Sequence, residues 1–220
     1  MMRATFALLL LFLANSLVVI AQDSQGPPII TIDQARQALR DSSSNETLGG
    51  ISLQSLDWSR EVDLGRGIRV IALSKNWSGA LVLFSPNGRL ESSVTTNEIT
   101  SLQCFDLNQD GVSELVTEEV EGRGTGILVK AFKMYTRSAQ GLEKVWERRS
   151  YSREAPWDPN SSTRKVRETL YFLRFDSAGA GASARMTYLE PSSQSGQYRR
   201  SVYTMEGLTV RHISEADLYK

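Results

Sequence analysis

The feature that most constrains the fold is a succession of short apolar stretches, spaced about ten residues apart and separated by Gly, Ser, Asn or Pro. Many of them alternate apolar and polar residues, which is the period of a half-buried β-strand. The predicted strands are 51–56, 68–73, 80–84, 89–95, 99–105, 114–120, 127–135, 142–151, 168–175, 184–189, 197–203 and 208–213. This spacing predicts an all-β fold built as an antiparallel meander.

A short helix is predicted before the strands. Thr31 or Asp33 caps it, and it extends to about Leu39, with Ile32, Ala35 and Leu39 on one face. Residues 22–50 therefore form a leader and a short helix, and residues 51–220 form a single β-rich domain.

The first 21 residues have the pattern of a signal peptide. Arg3 gives a positive start, residues 6–20 are mostly apolar, and Val19 and Ala21 are small enough for a cleavage site. An N-terminal membrane anchor is the alternative, but the apolar run is short and Asn15 interrupts it. We expect a secreted or periplasmic protein with no membrane span after cleavage.

Composition excludes several classes of protein. The 25 basic and 25 acidic residues balance, which argues against a nucleic-acid partner. One His and one Cys exclude zinc sites built from those residues and an internal disulfide. Cys104 lies in a predicted strand, where a small buried side chain is the favoured interpretation and an intermolecular disulfide the alternative.

One segment carries a specific chemical pattern, because oxygen-bearing side chains occupy alternate positions of a turn between two strands. Gly111 provides the residue that tolerates positive φ at its sharpest point. Calcium is a hard cation that prefers six to eight oxygen ligands, which this spacing wraps around one point. The predicted Ca²⁺ ligands are the side chains of Asp106, Asn108, Asp110 and Glu114 and the backbone carbonyl of Val112.

The alternative for this segment is an Asp/Asn/Gly-rich turn that binds nothing. The segment does not match an EF-hand. Thr117 occupies the twelfth position, where an EF-hand loop has Glu, and the flanking residues are predicted strands and not helices. Glu118, Glu119 and Glu121 follow closely, and we expect their negative potential to favour a cation.

The segment resembles the calcium loop of FG-GAP or VCBS-type repeats, the blade motifs of integrin-like β-propellers and many secreted bacterial proteins. The matching residues are Phe105, Asp106, Asn108, Asp110, Gly111, Glu114, Leu115 and Val116, within a unit of about residues 99–150. The resemblance implies a loop that joins two strands of a blade and usually binds calcium. It also implies sheets that are propeller-blade-like, with sandwich-like sheets as the alternative.

A closed propeller typically needs at least four blades, and the sequence offers fewer. Residues 175–183 align with 105–113 as a decayed second copy, in which Ala178 and Ala180 replace two of the ligands. An open set of blades, a sandwich-like module and an oligomeric ring all remain compatible with the pattern.

No catalytic residues are predicted. The single His212 lies in a predicted surface strand, without a nucleophile elbow elsewhere. Residues 148–167 are locally basic and fit either a solvated face or a surface for an acidic glycan. Asn45, Asn76 and Asn160 begin glycosylation sequons.

We therefore expect an exported, non-enzymatic β-module with one structural calcium site, acting in binding, adhesion or scaffolding, with an unknown glycan or protein ligand. The alternatives are a secreted or periplasmic glycan hydrolase using unidentified carboxylates and a solute- or lipid-binding barrel.

Overall fold

The structure is a computed structural model that describes residues 30–42, 47–48, 51–52, 58–155, 165–176, 184–192 and 197–219. The helix is α1 (Ile32–Ser42). The strands are β1 (Thr47–Leu48), β2 (Ile51–Ser52), β3 (Trp58–Gly65), β4 (Ile68–Lys75), β5 (Ser78–Phe84), β6 (Leu90–Thr96), β7 (Ile99–Phe105), β8 (Glu114–Gly124), β9 (Ile127–Ser138), β10 (Gly141–Glu154), β11 (Arg167–Leu170), β12 (Phe172–Asp176), β13 (Arg185–Pro191), β14 (Gln197–Glu206) and β15 (Thr209–Tyr219).

The main strands form three antiparallel sheets, each a meander in which consecutive strands pair. The first sheet has the order β3-β4-β5-β6, the middle sheet β11-β10-β9-β8-β7, and the last sheet β12-β13-β14-β15. Strands β1 and β2 form a separate two-residue pair. The all-β antiparallel meander predicted from the sequence is confirmed.

The three sheets pack face to face, with two apolar layers between them. Between the first and middle sheets, Val70 and Leu81 contact Leu102 and Leu115. Between the middle and last sheets lies a more aromatic layer that includes Trp146, Met186, Tyr188 and Tyr203. The order of layers along the chain is therefore also their order in space.

Helix α1 covers the outer face of the first sheet. Ala35 and Leu39 are buried against the sheet. Strand β5 is therefore covered on both faces and is buried along its whole length. This explains its continuous apolar sequence, which lacks the alternation of a half-buried strand.

The helix begins with a capping box at Thr31, one of the two predicted caps. The Gln34 amide nitrogen donates to Thr31 Oγ1 at 3.2 Å, and the Thr31 amide nitrogen donates to Gln34 Oε1 at 2.7 Å. Thr31 is thus the cap. The predicted apolar face is partly wrong, because Ile32 is 41% exposed and Ile30 packs with the helix instead.

Two strand predictions need correction. The predicted strand 168–175 is two strands, β11 and β12, which belong to different sheets. The chain passes between sheets at Tyr171, whose amide nitrogen donates to the Ser150 carbonyl at 3.1 Å. The apolar run 170–173 continues through this point, so the sequence pattern does not mark the break. Strand β3 was not predicted, because its polar residues mask the period.

Several predictions fall outside the described residues. These are the signal peptide at 1–21, most of the leader, the sequons at Asn45 and Asn160, strand residues 53–56, and residues 177–183 of the decayed copy. Within the described part, no helix has the length and apolar character needed to span a membrane.

A buried carboxylate of the middle sheet bonds to that sheet and to the connection that enters it from the first sheet. Glu119 is fully buried on β8 and accepts hydrogen bonds from Lys133 Nζ at 3.0 Å and Tyr135 Oη at 2.8 Å. It also accepts from the Asn97 amide nitrogen at 3.1 Å and Thr117 Oγ1 at 2.8 Å. Burial alone would lower the pKa of Lys133, but hydrogen bonds to Glu121 and Glu119 raise it above its ordinary value.

We expect Glu119→Ala to lower the free energy of unfolding by about 3 kcal/mol, because it leaves buried donors without their acceptor. Glu206→Ala is the matched control, since it breaks an exposed ion pair with Arg211 and should cost less than about 1 kcal/mol. Chemical denaturation measures both. Equal losses in the two variants would contradict the structural role of Glu119.

Candidate functional site

The candidate site is the connection between β7 and β8. Phe105 and Glu114 pair across the two strands at its base, so the loop closes between adjacent strand ends as the sequence predicts. Gly111 has φ +81° at the turn, which is the conformation anticipated for that position. Leu107 points away from the loop and is buried between the middle and last sheets.

Inside the loop, three polar side chains each accept a hydrogen bond from a backbone amide further along. Asp106 Oδ2 accepts from the Gly111 nitrogen at 3.0 Å, and Asn108 Oδ1 accepts from the Asp110 nitrogen at 3.1 Å. Asp110 Oδ1 accepts from the Val112 nitrogen at 2.7 Å. The predicted alternation therefore folds the loop, with its oxygen-bearing side chains turned toward its interior.

Glu114 closes the loop from the first position of β8. Its side chain is 1% exposed, and its Oε2 accepts a hydrogen bond from the Leu107 nitrogen at 2.8 Å. Burial raises the pKa of Glu114 to about 7, and the charges of Asp110 and Asp106 act in the same direction. Among the described residues, no cationic side chain pairs with this carboxylate.

The donor set fits a hard cation. Asp106 Oδ1 is inaccessible to solvent and has no hydrogen-bond partner among the described residues. Within the same part of the chain, however, no three His, Cys, Asp or Glu side chains are close enough together to hold a metal. A site here would therefore rely on the neutral oxygens of Asn108 and Val112 as well, and an ion would have to draw the carboxylates closer.

Turns from the two neighbouring sheets hold the loop. On one side, the Ser113 nitrogen donates to the Leu64 carbonyl at 2.6 Å, and Arg66 Nη2 donates to the Asp110 carbonyl. On the other side, Asn108 Nδ2 donates to the Gly207 carbonyl at 3.2 Å. The loop of the middle sheet therefore contacts both the first and the last sheet.

Sequence reasoning missed the contribution of the β3–β4 turn. Gly65 has φ +101°, and a Cβ at this position would overlap the carbonyl oxygen of Gly111. Arg66 also has positive φ, and its guanidinium lies against Gly111. The sequence Gly65-Arg66-Gly67 signals a tight turn, but only tertiary structure places it against the loop.

The expected anionic extension of the site is wrong. Glu118 and Glu119 lie on β8, and Glu121 lies further along the same strand. Glu118 is paired with Lys130 at 3.1 Å, while Glu119 and Glu121 are paired with Lys133 at 3.0 and 2.5 Å. Because a strand rises about 3.3 Å per residue, Glu119 is about 16 Å along the strand from Glu114. These acids are therefore ion-paired within the middle sheet.

The remaining residues singled out in the sequence are His212, Cys104 and those of the basic segment 148–167, of which the structure describes 148–155 and 165–167. His212 is exposed on β15, as predicted, and its ring contacts Tyr203. Cys104 is half-buried beside the layer between the first and middle sheets, so it is less buried than expected. In the basic segment, the Arg148 guanidinium lies 5.9 and 5.8 Å from the ring centres of Trp146 and Tyr203.

A concavity of about 470 Å³ on the middle sheet contains two carboxylates, Glu121 and Glu147. Both are ion-paired with lysines, Glu121 with Lys133 and Glu147 with Lys144 at 2.5 Å. This pairing gives no particular support to a hydrolytic acid and base.

No family model matches the chain, and no curated protein matches it.

In calcium-free buffer, we expect the free energy of unfolding of the wild type to fall, relative to that of Glu114→Gln, as the pH rises from 4.5 to about 7. The folded protein retains a proton that the unfolded chain releases, because the pKa of Glu114 is raised on folding. The difference reaches about 3 kcal/mol at most. Denaturation across this pH range measures it, with exposed Glu206→Gln as control. If the stability of the wild type and that of Glu114→Gln change in parallel with pH, the raised pKa of Glu114 is contradicted.

We expect Gly65→Ala to destabilise the protein more than Gly207→Ala does. Both glycines have positive φ, which costs an alanine about 1 kcal/mol. Only at Gly65 would the added methyl group overlap another loop, adding ~1–3 kcal/mol. Thermal melting compares the two variants, and equal losses would show that the contact between Gly65 and Gly111 is not tight.

Proposed function

We propose that the chain is an exported, non-enzymatic β-module that holds one structural calcium ion in the loop 106–114. The observation that carries the proposal is a pair of carboxylates without a cation: Glu114, which is buried, and Asp106, which is half-buried but has an inaccessible Oδ1. Asp106 Oδ1 has no partner and Glu114 no ion pair among the described residues, whereas Glu119, buried on the same strand, is paired with Lys133. A buried carboxylate without a cation is costly, so a bound ion would stabilise the loop.

The type of ligand favours calcium over softer metals. The loop offers only oxygen atoms, from the side chains of Asp106, Asn108, Asp110 and Glu114 and the carbonyl of Val112. Zinc and other transition metals prefer nitrogen or sulfur ligands. Magnesium requires a near-ideal octahedron and dehydrates reluctantly, which suits a flexible loop less well.

The role we propose for the ion is to rigidify the packing of the sheets. The loop contacts Leu64 and Arg66 of the first sheet and Gly207 of the last. An ion that fixes the conformation of the loop would therefore stabilise contacts to both neighbours. This is a scaffolding role and requires no chemistry at the ion.

The proposal that the module is related to FG-GAP or VCBS-type repeats rests on two features. The loop motif joins two adjacent antiparallel strands, as in the blades of that family. The chain also consists of successive meander sheets packed face to face, an arrangement compatible with an open set of blades. Export rests on the signal-peptide pattern of residues 1–21.

We expect millimolar calcium to raise the melting temperature of the purified protein relative to EDTA. An ion present at a hundred times its Kd adds about 2.7 kcal/mol to the free energy of unfolding. Asp106→Asn and Glu114→Gln should remove most of this increase, since each removes a charged ligand. Differential scanning fluorimetry measures the shift.

Two controls accompany this experiment. Glu206→Gln changes an exposed acid away from the loop and should keep the full calcium response. Magnesium at the same concentration should give a smaller shift than calcium. Identical melting of wild type in EDTA and in calcium would refute the proposed site.

A further inference from the structure

The outer face of the last sheet forms a shallow concavity of about 450 Å³. It is lined by outward-pointing side chains from all four strands, because alternate residues of a strand lie on one face. Its apolar lining consists of Phe172, Leu189, Val202, Ile213 and Leu218. The volume is within the range of sites that bind small molecules.

The apolar residues of this face are not part of the core. Phe172 is 48% and Ile213 50% exposed, whereas Met186 and Tyr188, on the inner face of the same sheet, are 2% and 1% exposed. At the opposite end of the stack, helix α1 covers the outer face of the first sheet. Among the described residues, no corresponding element covers the last sheet. An exposed apolar face of this kind typically marks a binding surface.

Half of the polar residues that line the concavity are cationic. Arg174, Arg185 and Arg200 line it, and Asp176 is the only acid among the described residues of its lining. Arg174 is paired with Asp176 at 2.6 Å, whereas neither Arg185 nor Arg200 has an ion pair among the described residues.

The neighbouring residue on β14 provides a contrast. Arg199 points to the other side of the sheet and lies within 4 Å of three acids, Glu190, Glu215 and Asp217. Arg200 points into the concavity and has none. On β14, the arginine that points away from the concavity is therefore paired with acids, and the arginine that points into it can pair with an anionic ligand.

We propose that this concavity binds a free fatty acid with an acyl chain of about twelve carbons, with the carboxylate at Arg185 or Arg200 and the acyl chain along the apolar floor. Arginine recognises carboxylates with two parallel hydrogen bonds, and the floor provides apolar surface for the chain. A second copy of the same face is a poor occupant, because it would bring the arginines of both copies together. The site is separate from the loop 106–114, so it does not depend on calcium.

Isothermal titration calorimetry with laurate tests the proposal, performed both in EDTA and in calcium. We expect saturable binding of about one laurate per protein under both conditions. Acetate, which lacks the chain, and dodecyltrimethylammonium, which has the chain with a cationic head, should bind at least about tenfold more weakly. Absence of laurate binding, or equal binding of the cationic amphiphile, would overturn the proposal.

Variants locate the site. Arg185→Gln combined with Arg200→Gln should weaken laurate binding at least about tenfold, and Val202→Trp, which fills the floor, should do the same. Arg89→Gln removes an exposed arginine of the turn before β6 and should leave binding unchanged. Unaltered binding in both concavity variants would place laurate elsewhere and overturn the proposal.

A vesicle experiment separates a free fatty acid from a membrane surface. The protein is sedimented with vesicles of phosphatidylcholine containing phosphatidylglycerol. We expect no cosedimentation that depends on Arg185 and Arg200. If these arginines mediate vesicle binding while laurate does not bind, the surface is a membrane contact and the fatty-acid site is refuted.

Discussion

The middle sheet packs against a neighbouring sheet on each of its two faces, and the rest of the architecture depends on this constraint. Along β8, Leu115 contributes to the layer shared with the first sheet, and Val116 contributes to the layer shared with the last. On β9, Tyr135 and Met134 divide in the same way. Because successive side chains of a strand point to opposite faces, one strand supplies apolar surface to two layers. The neighbouring sheets can then pack only as a stack.

Where this packing buries an acid of β8, the loss of water around the charged carboxylate raises the free energy of the folded state. Glu119 faces the first sheet and is fully provided with donors, including the ammonium of Lys133. Glu114 faces the opposite side and has a backbone donor and two further carboxylates as neighbours. The two glutamates are equally buried, but only one is compensated by a cation of the chain itself. This asymmetry within one strand is the physical basis for the calcium proposal.

The two ends of the stack also differ. At one end, α1 contributes Ala35 and Leu39 to cover the first sheet. At the other end, the last sheet presents Phe172 and Ile213, with two arginines that have no ion pair among the described residues. The outer face of an antiparallel sheet can face solvent when its side chains are polar, but large apolar side chains exposed together on such a face typically mark a binding surface. The fatty-acid proposal accounts for the face that the described residues leave open.

The sequence by itself determined the local features of this protein. Most strand positions, a helix cap at Thr31 or Asp33 and the alternating oxygens of residues 106–114 all depend on neighbours within a few residues, so they could be predicted from local pattern. Only the tertiary structure decided which sheet each strand joins, as at Tyr171, where the pattern continues but the chain changes sheets. It also decided that Glu119 pairs with Lys133 rather than adding to the charge of the loop. Contacts such as that between Gly65 and Gly111 join residues far apart in sequence, and no local pattern encodes them.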